Sequence, residues 1–305
     1  MKESKEAVFF GELLMRLATK RYERFVQAHE FEVAYTGAEA NAAVSLAHFG
    51  MGASVVSAVP DTEIGEACIN FIRQFGVNTA FVLRGGQRLG TFYLESGASQ
   101  RASKVIYDRA GSAFAELRPG MVDWDAAFAG KQWFHWSGTA PALSDGTAAA
   151  TREACEAARK HGLTISCDLN YRRKLWSPEK AREVMTGLMQ YVDVLIGNEE
   201  DSAIVLGAAD GSLDADRYKE VAAELHERFG FKYVATTLRE SISATENGWS
   251  CLLSDGAQCF VSRKYRMWIV DRVGGGDSFS GGLIYGLLSG MSGQDAVEFA
   301  AAASC

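Results

Sequence analysis

The chain has 305 residues, 48% of them hydrophobic and 23% charged, and a formal net charge of −7; that is a globular composition with room for one large α/β domain or two smaller ones. Its acidity argues against nucleic acid or an acidic membrane as partner, so any anionic ligand must be met by a few local arginines. No apolar run approaches the ~20 residues that span a bilayer.

In chain order, the polar start Met1 to Glu6 leads into a short apolar stretch at 7–10, too brief for a signal peptide and read as a first strand. The cytoplasm is the expected location. Residues 38–49 read as a helix closed by Gly50, 53–59 as a strand, and 63–75 as a helix closed by Gly76. A strand at 133–137, a helix at 143–161 closed by Gly162 and a strand at 164–168 follow. Then come a strand at 192–198, a helix at 217–229 closed by Gly230 and a strand at 233–238. A short strand at 267–270 precedes a last clear helix, with Phe279, Leu283, Leu287 and Leu288 on one face and Gly290 as its stop. This alternation predicts an α/β fold, a doubly wound and mostly parallel sheet flanked by helices.

Two segments, 13–35 and 88–109, break the rhythm with β-rich patterns and no crossover helix. They are expected to pair as a small β lid over a cleft; the alternative is two surface hairpins. With four prolines and no Pro-rich linker, a single domain over 1–305 is expected. Six cysteines without a C-x-x-C pair read as buried thiols, and five histidines form no metal-binding pattern. His135, between Phe134 and Trp136, reads as a core residue.

The most informative run is Asp271-Arg272-Val273-Gly274-Gly275-Gly276-Asp277-Ser278-Phe279-Ser280-Gly281-Gly282. A glycine turn opening a helix leaves several N–H groups unpaired at the positive end of the helix dipole, which makes an anion site of main chain. A plain phosphate loop would carry lysine at its lip. Asp277 makes sense there if it removes a proton from a hydroxyl that then attacks a phosphoryl group.

Other clusters fall at strand ends or helix starts. Thr36-Gly37-Ala38-Glu39-Ala40-Asn41 opens a helix, and its glycine permits close approach of a ligand. Asp168-Leu169-Asn170-Tyr171-Arg172-Arg173-Lys174 follows a strand at the edge where open α/β sheets bind ligands; a solvated basic loop is the alternative. Gly197-Asn198-Glu199-Glu200-Asp201 places carboxylates in a first helical turn, which the dipole favours regardless of function, although near phosphates they would suit magnesium held through water. Arg109, in Tyr107-Asp108-Arg109, could fork onto a carboxylate. The P-loop, the dinucleotide fingerprint and the protein-kinase signatures are missing.

These residues resemble the ribokinase-like (PfkB) carbohydrate kinases. The run from Asp271 to Gly282 is similar to their second signature, and Gly37 to Asn41 to their N-terminal glycine motif. Within the superfamily the chain is most similar to 2-keto-3-deoxygluconate kinases, over nearly its whole length. The resemblance implies transfer of the ATP γ-phosphoryl to the 6-hydroxyl of 2-keto-3-deoxygluconate, with Asp277 as base and Gly274, Gly275 and Gly276 as anion hole. It implies sugar-acid contacts at Thr36, Gly37, Ala38, Glu39, Asn41, Tyr93, Tyr107, Arg109 and Arg172. Nucleotide contacts are implied at Asn170, Arg172, Asn198, Thr237, Arg239, Gly274 and Gly276, and Mg²⁺ held through water near Asn198 and Asp201. Thr36 stands where the superfamily often has a first glycine, and Asp201 where glutamate is usual. Such kinases commonly continue through one more loop and helix, so a further C-terminal piece is expected beyond Cys305. A kinase for a neutral sugar, a weakened sugar-binding protein of the same fold and, well below these, a nicotinamide-dependent oxidoreductase are the alternatives. Sugar acid and ATP are the expected partners, with a lid-to-lid homo-oligomer as a further possibility.

Overall fold

Alternation along the first strand decides the architecture. In β1 (Glu6–Phe10), Val8 and Phe10 enter one apolar cluster while Ala7 and Phe9 enter another, which requires a strand covered on both faces. The computed structural model describes residues 5–198, 200–208 and 215–305.

After β1 come β2 (Leu14–Thr19), β3 (Phe31–Thr36), α1 (Ala38–His48), β4 (Gly52–Val59), α2 (Glu63–Arg73), β5 (Asn78–Arg84), β6 (Gly90–Glu95) and β7 (Lys104–Asp108). The middle of the chain forms α3 (Trp124–Phe128), β8 (Trp133–Ser137), α4 (Asp145–Lys160), β9 (Thr164–Asp168), α5 (Pro178–Met189), β10 (Val194–Asn198) and α6 (Asp201–Leu206). It closes with α7 (Ala215–Phe229), β11 (Tyr233–Ser241), β12 (Glu246–Ser254), β13 (Cys259–Val261), β14 (Tyr265–Trp268), α8 (Gly275–Ser289) and α9 (Gly293–Ala303).

The main sheet runs β13-β12-β11-β10-β9-β8-β1-β4-β5, with β14 also on β12. From β11 to β5 every pairing is parallel, and the β12 pairings are antiparallel. One face is covered by α1, α2, α8 and α9, the other by α3, α4, α5, α6 and α7. The chain moves from β1 to β4 on one side and later to β8 on the other, so β1 marks a switch point. Ligands of open α/β sheets lie at the carboxyl ends beside such a point. A second sheet, β3-β2-β6-β7, forms the lid expected from 13–35 and 88–109.

Some sequence expectations shift. The strand expected at 267–270 ends at Trp268, and Val270 is fully exposed on the loop that follows. His135 is buried, bonded to Ser166 and pushed down to about 3 by burial, as suits a neutral core histidine. No helix among the described residues is long and apolar enough to cross a membrane.

Candidate active site

The glycine run folds as its composition demands. Gly274 sits at φ 93°, a left-handed conformation that disfavours any side chain. The helix α8 then starts at Gly275 without a side-chain cap, and its first bond runs from Ser278 N to Gly274 O at 2.8 Å. The amides of Gly275, Gly276 and Asp277 therefore lack intrahelical partners. A Cβ at Gly276 would meet nothing within 4 Å, so that position faces open space. Gly281 and Gly282 have another cause. A Cβ on Gly281 would lie 2.8 Å from Ala42 O, and one on Gly282 3.0 Å from Ala300, so these two glycines let α8 pack against α1 and α9 rather than serve an anion.

Asp277 is in the first turn of α8. Asn41 Nδ2 donates to its Oδ2 at 2.7 Å, and Thr36 Oγ1 donates to Asn41 Oδ1 at 2.8 Å. The Thr36 hydroxyl thus turns the Asn41 amide so that its N–H₂ meets the acid, and the second carboxyl oxygen stays available. Burial pushes Asp277 up to about 6, against the opposing pull of the Asn41 hydrogen bond and the Arg172 charge. A carboxyl near the pH of its work is suited to accept a proton. Asn41, expected to touch the sugar, holds the acid in place.

These groups line a cavity of about 440 Å³ between the strand ends and the lid. From the sugar-side expectations it gathers Thr36, Gly37, Ala38, Glu39, Asn41, Tyr107 and Arg109. At the other end it gathers Asn170, Arg172, Asn198, Asp201, Thr237 and Arg239, together with the Gly274–Gly276 turn and Asp277. Tyr93 is the exception. Strand alternation turns its ring to the outward face of the lid, against Phe31 at 5.7 Å between centroids, and the neighbouring Phe92 faces the cavity instead.

The lid is docked on the glycine turn. Val273 packs against the lid's inner cluster of Leu14, Ala18, Phe92 and Leu94, and Arg16 pairs with Asp271 at 2.7 Å. At the far end, Asn170 adopts φ 38° with its buried Oδ1 unpartnered. Asp168 is pushed well above the usual carboxylate range by burial, then by Asp201 and Asp277; Asp201 rises to about 6, chiefly by burial. Asn198 Oδ1 accepts the amides of Glu200 and Asp201 at 2.9 Å each. These two bonds start α6 and fix the orientation of the Asn198 side chain at the cavity wall. Glu199, from the same motif, lies outside the described residues. Among those residues no group of three histidine, cysteine or carboxylate side chains forms a ready metal cage.

Sequence reasoning missed Glu12 and Thr139 on the cavity wall, and named Asp168 and Arg272 within their motifs without giving either a role. Glu12 carried the same signal that marked the Asp168 cluster, a carboxylate at the carboxyl end of a parallel strand. Arg272 had none. Its Nη2 braces the loop after β11 through Ser243 O and Ala244 O, a contact made only in the fold. Glu39 is buried beneath the sugar end, takes a hydrogen bond from Ser137 and is pushed up to about 7 by burial.

The chain is similar to known proteins over nearly its whole length. A crystal structure of a 2-dehydro-3-deoxygluconokinase from Thermotoga maritima superposes with a TM-score of 0.97 at 47% identity, covering 99% of this chain and 93% of that one. The 2-dehydro-3-deoxygalactonokinase of Haloferax volcanii is 34% identical over 97% of this chain and 89% of its own. The 2-dehydro-3-deoxygluconokinase of Bacillus subtilis is 30% identical over 96% of this chain and 86% of its own. The profile of the pfkB family carbohydrate kinases matches residues 4–305. On that match, and on the shared ribokinase-like fold, the chain belongs to the pfkB family of carbohydrate kinases and is a phosphotransferase.

Proposed function

We propose that this kinase transfers the γ-phosphoryl of ATP to the 6-hydroxyl of a 2-keto-3-deoxy sugar acid, 2-keto-3-deoxygluconate first, with Asp277 as general base. The observation that carries the reading is Asp277, fixed by Asn41 at 2.7 Å, standing beside three amides that have no partner in their own helix. In this reading the hydroxyl gives its proton to the free oxygen of Asp277 as its oxygen bonds to the γ-phosphorus, and the bond from that phosphorus to the β,γ-bridging oxygen breaks, its electron pair leaving with ADP. The amides of Gly275, Gly276 and Asp277 take up the charge gathering on the transferred group. Gly274 aims that turn, and a bare Gly276 lets the phosphoryl approach the backbone. Arg172, Arg239 and Arg272 on the cavity wall supply positive charge for the donor's phosphates. The Val273 and Arg16 contacts close the lid over this turn, which excludes water as an alternative acceptor.

The carboxylates of Asp168 and Asp201, both pushed up chiefly by burial and only partly offset by the Arg172 charge, suit a divalent cation at this end of the cavity. Mg²⁺ bound with ATP would offset phosphate charge there, held through water near Asn198 and Asp201.

Arg109 on the lid side of the cavity supports an acidic over a neutral sugar. The relatives named above act on gluconate- and galactonate-derived substrates, which differ at C4, so both epimers belong in the test. Turnover of ATP with 2-keto-3-deoxygluconate, its galacto epimer, ribose and fructose is expected to favour the acids. Preference for a neutral sugar would replace this reading, and absence of turnover with all four would favour a binding protein of the same fold. The lid's outward face, with Val33 and Ile106 more than half exposed, supports a second copy as partner. Six unpaired thiols support a reducing, cytoplasmic setting.

A further inference from the structure

Glu12 and Arg109 form a buried ion pair in the cavity wall. Arg109 Nε lies 2.5 Å from Glu12 Oε2, and the two side chains are 7% and 1% exposed. Glu12 follows β1, where the chain leaves the main sheet for the lid, and Arg109 follows β7, where it returns. Ser112 donates to the other carboxylate oxygen. Room for this carboxylate comes from missing side chains: a Cβ on Gly90 would overlap it, and one on Gly37 would overlap the Glu12 carbonyl. The guanidinium is only partly used, however. Its hydrogen bond to the described residues runs through Nε, and Nη1 and Nη2 remain on a residue that lines the cavity, with the Tyr107 ring 5.7 Å away. Such a pair is a poor source of stability, because desolvation offsets the attraction. It is an effective way to hold a planar fork of donors in one orientation.

We infer that Glu12 is a positioning residue for substrate selection: it grips Arg109 by one edge so that the other faces the cavity as a preset bidentate site for the carboxylate of an anionic sugar. This rests on the acidic substrate proposed above. Without Glu12, the guanidinium can turn toward Glu39, a carboxyl whose charged form it already favours, and would be lost to the ligand.

The test is steady-state kinetics with ATP and two sugars, the keto-deoxy acid and a neutral analogue carrying CH₂OH in place of its carboxylate. Glu12→Ala is expected to raise KM for the acid ~10–100-fold, with kcat within about threefold and KM for the analogue unmoved. Glu12→Gln, whose amide oxygen still accepts from Nε, is expected to restore most of the lost affinity. A uniform loss on ATP and both sugars, or an unchanged acid-to-neutral ratio in Glu12→Ala, overturns the positioning role while leaving the substrate reading intact. If Glu12→Ala does not fold, Ser112→Ala supplies the readout: a fall of ~3-fold in the ratio supports the role, and no fall overturns it. A wild-type chain with no preference for the acid removes the substrate reading and this inference together.

Discussion

At the glycine-turn end of the cavity, negative charge would meet main-chain amides aimed by a handful of consecutive residues. At the lid end it would meet one guanidinium fixed by a carboxylate 97 residues away in sequence. The first device is local: Gly274 must adopt φ 93°, a helix must follow, and the amides then point where they do whatever else the chain contains. The second exists only because β1 and β7 end at the same place. The local device therefore suits an invariant task, handling a phosphoryl group, whereas the assembled one suits selection among sugars.

The comparison can be strained most by pH. Asp277 at about 6 predicts that kcat falls ~tenfold per unit below that value, about a hundredfold at two units, as the acid takes up its proton. Asp201 titrates in the same window, so the profile belongs with Asp201→Asn, where the Asp277 bend is expected to survive. Gly276→Ala comes next. Its Cβ meets no protein atom, so the melting temperature is expected to hold while kcat/KM drops ~tenfold; a parallel loss of stability would make Gly276 a folding residue. Asn41→Ala removes the bond that lowers the Asp277 pKa, so the bend is expected to move upward and activity at pH 6 to fall ~3–10-fold, with less effect at pH 8. An unmoved bend would return Asn41 to sugar contact alone. Smallest of all is Tyr93→Phe on the outward face of the lid, expected to change KM for the sugar by less than about twofold.

Legibility follows the same division. The parallel core could be read because buried alternation and glycine stops are local, and β8 and β9 fall where the pattern placed them. The β12–β13 hairpin could not, since antiparallel edge strands such as Cys259–Val261 are short and carry no crossover helix to announce them, while β14 was only half covered by the strand expected at 267–270. In the site, Asp277 and its turn stood out. Tyr93 was misplaced because an unbroken Thr91-Phe92-Tyr93-Leu94 run gives no clue to which face is inward, and only pairing with Leu17 and Ile106 decides it. Asn41 was visible as a residue but not as the partner of Asp277, which is 236 positions later.

Asp277→Asn, with sugar affinity and turnover measured on the same preparation, tests the central claim most directly. The Asp277 pKa is raised in the folded state, so its stabilising contribution is full below the unfolded value near 4 and lost as pH rises through about 6. Asparagine avoids that loss, and the variant is expected to be more stable at pH 8, by on the order of 1–2 kcal/mol. Sugar binding within about threefold of wild type, with turnover lower by ~10²–10⁴, is the predicted result. Turnover near wild type in a folded, sugar-binding Asp277→Asn would contradict the account.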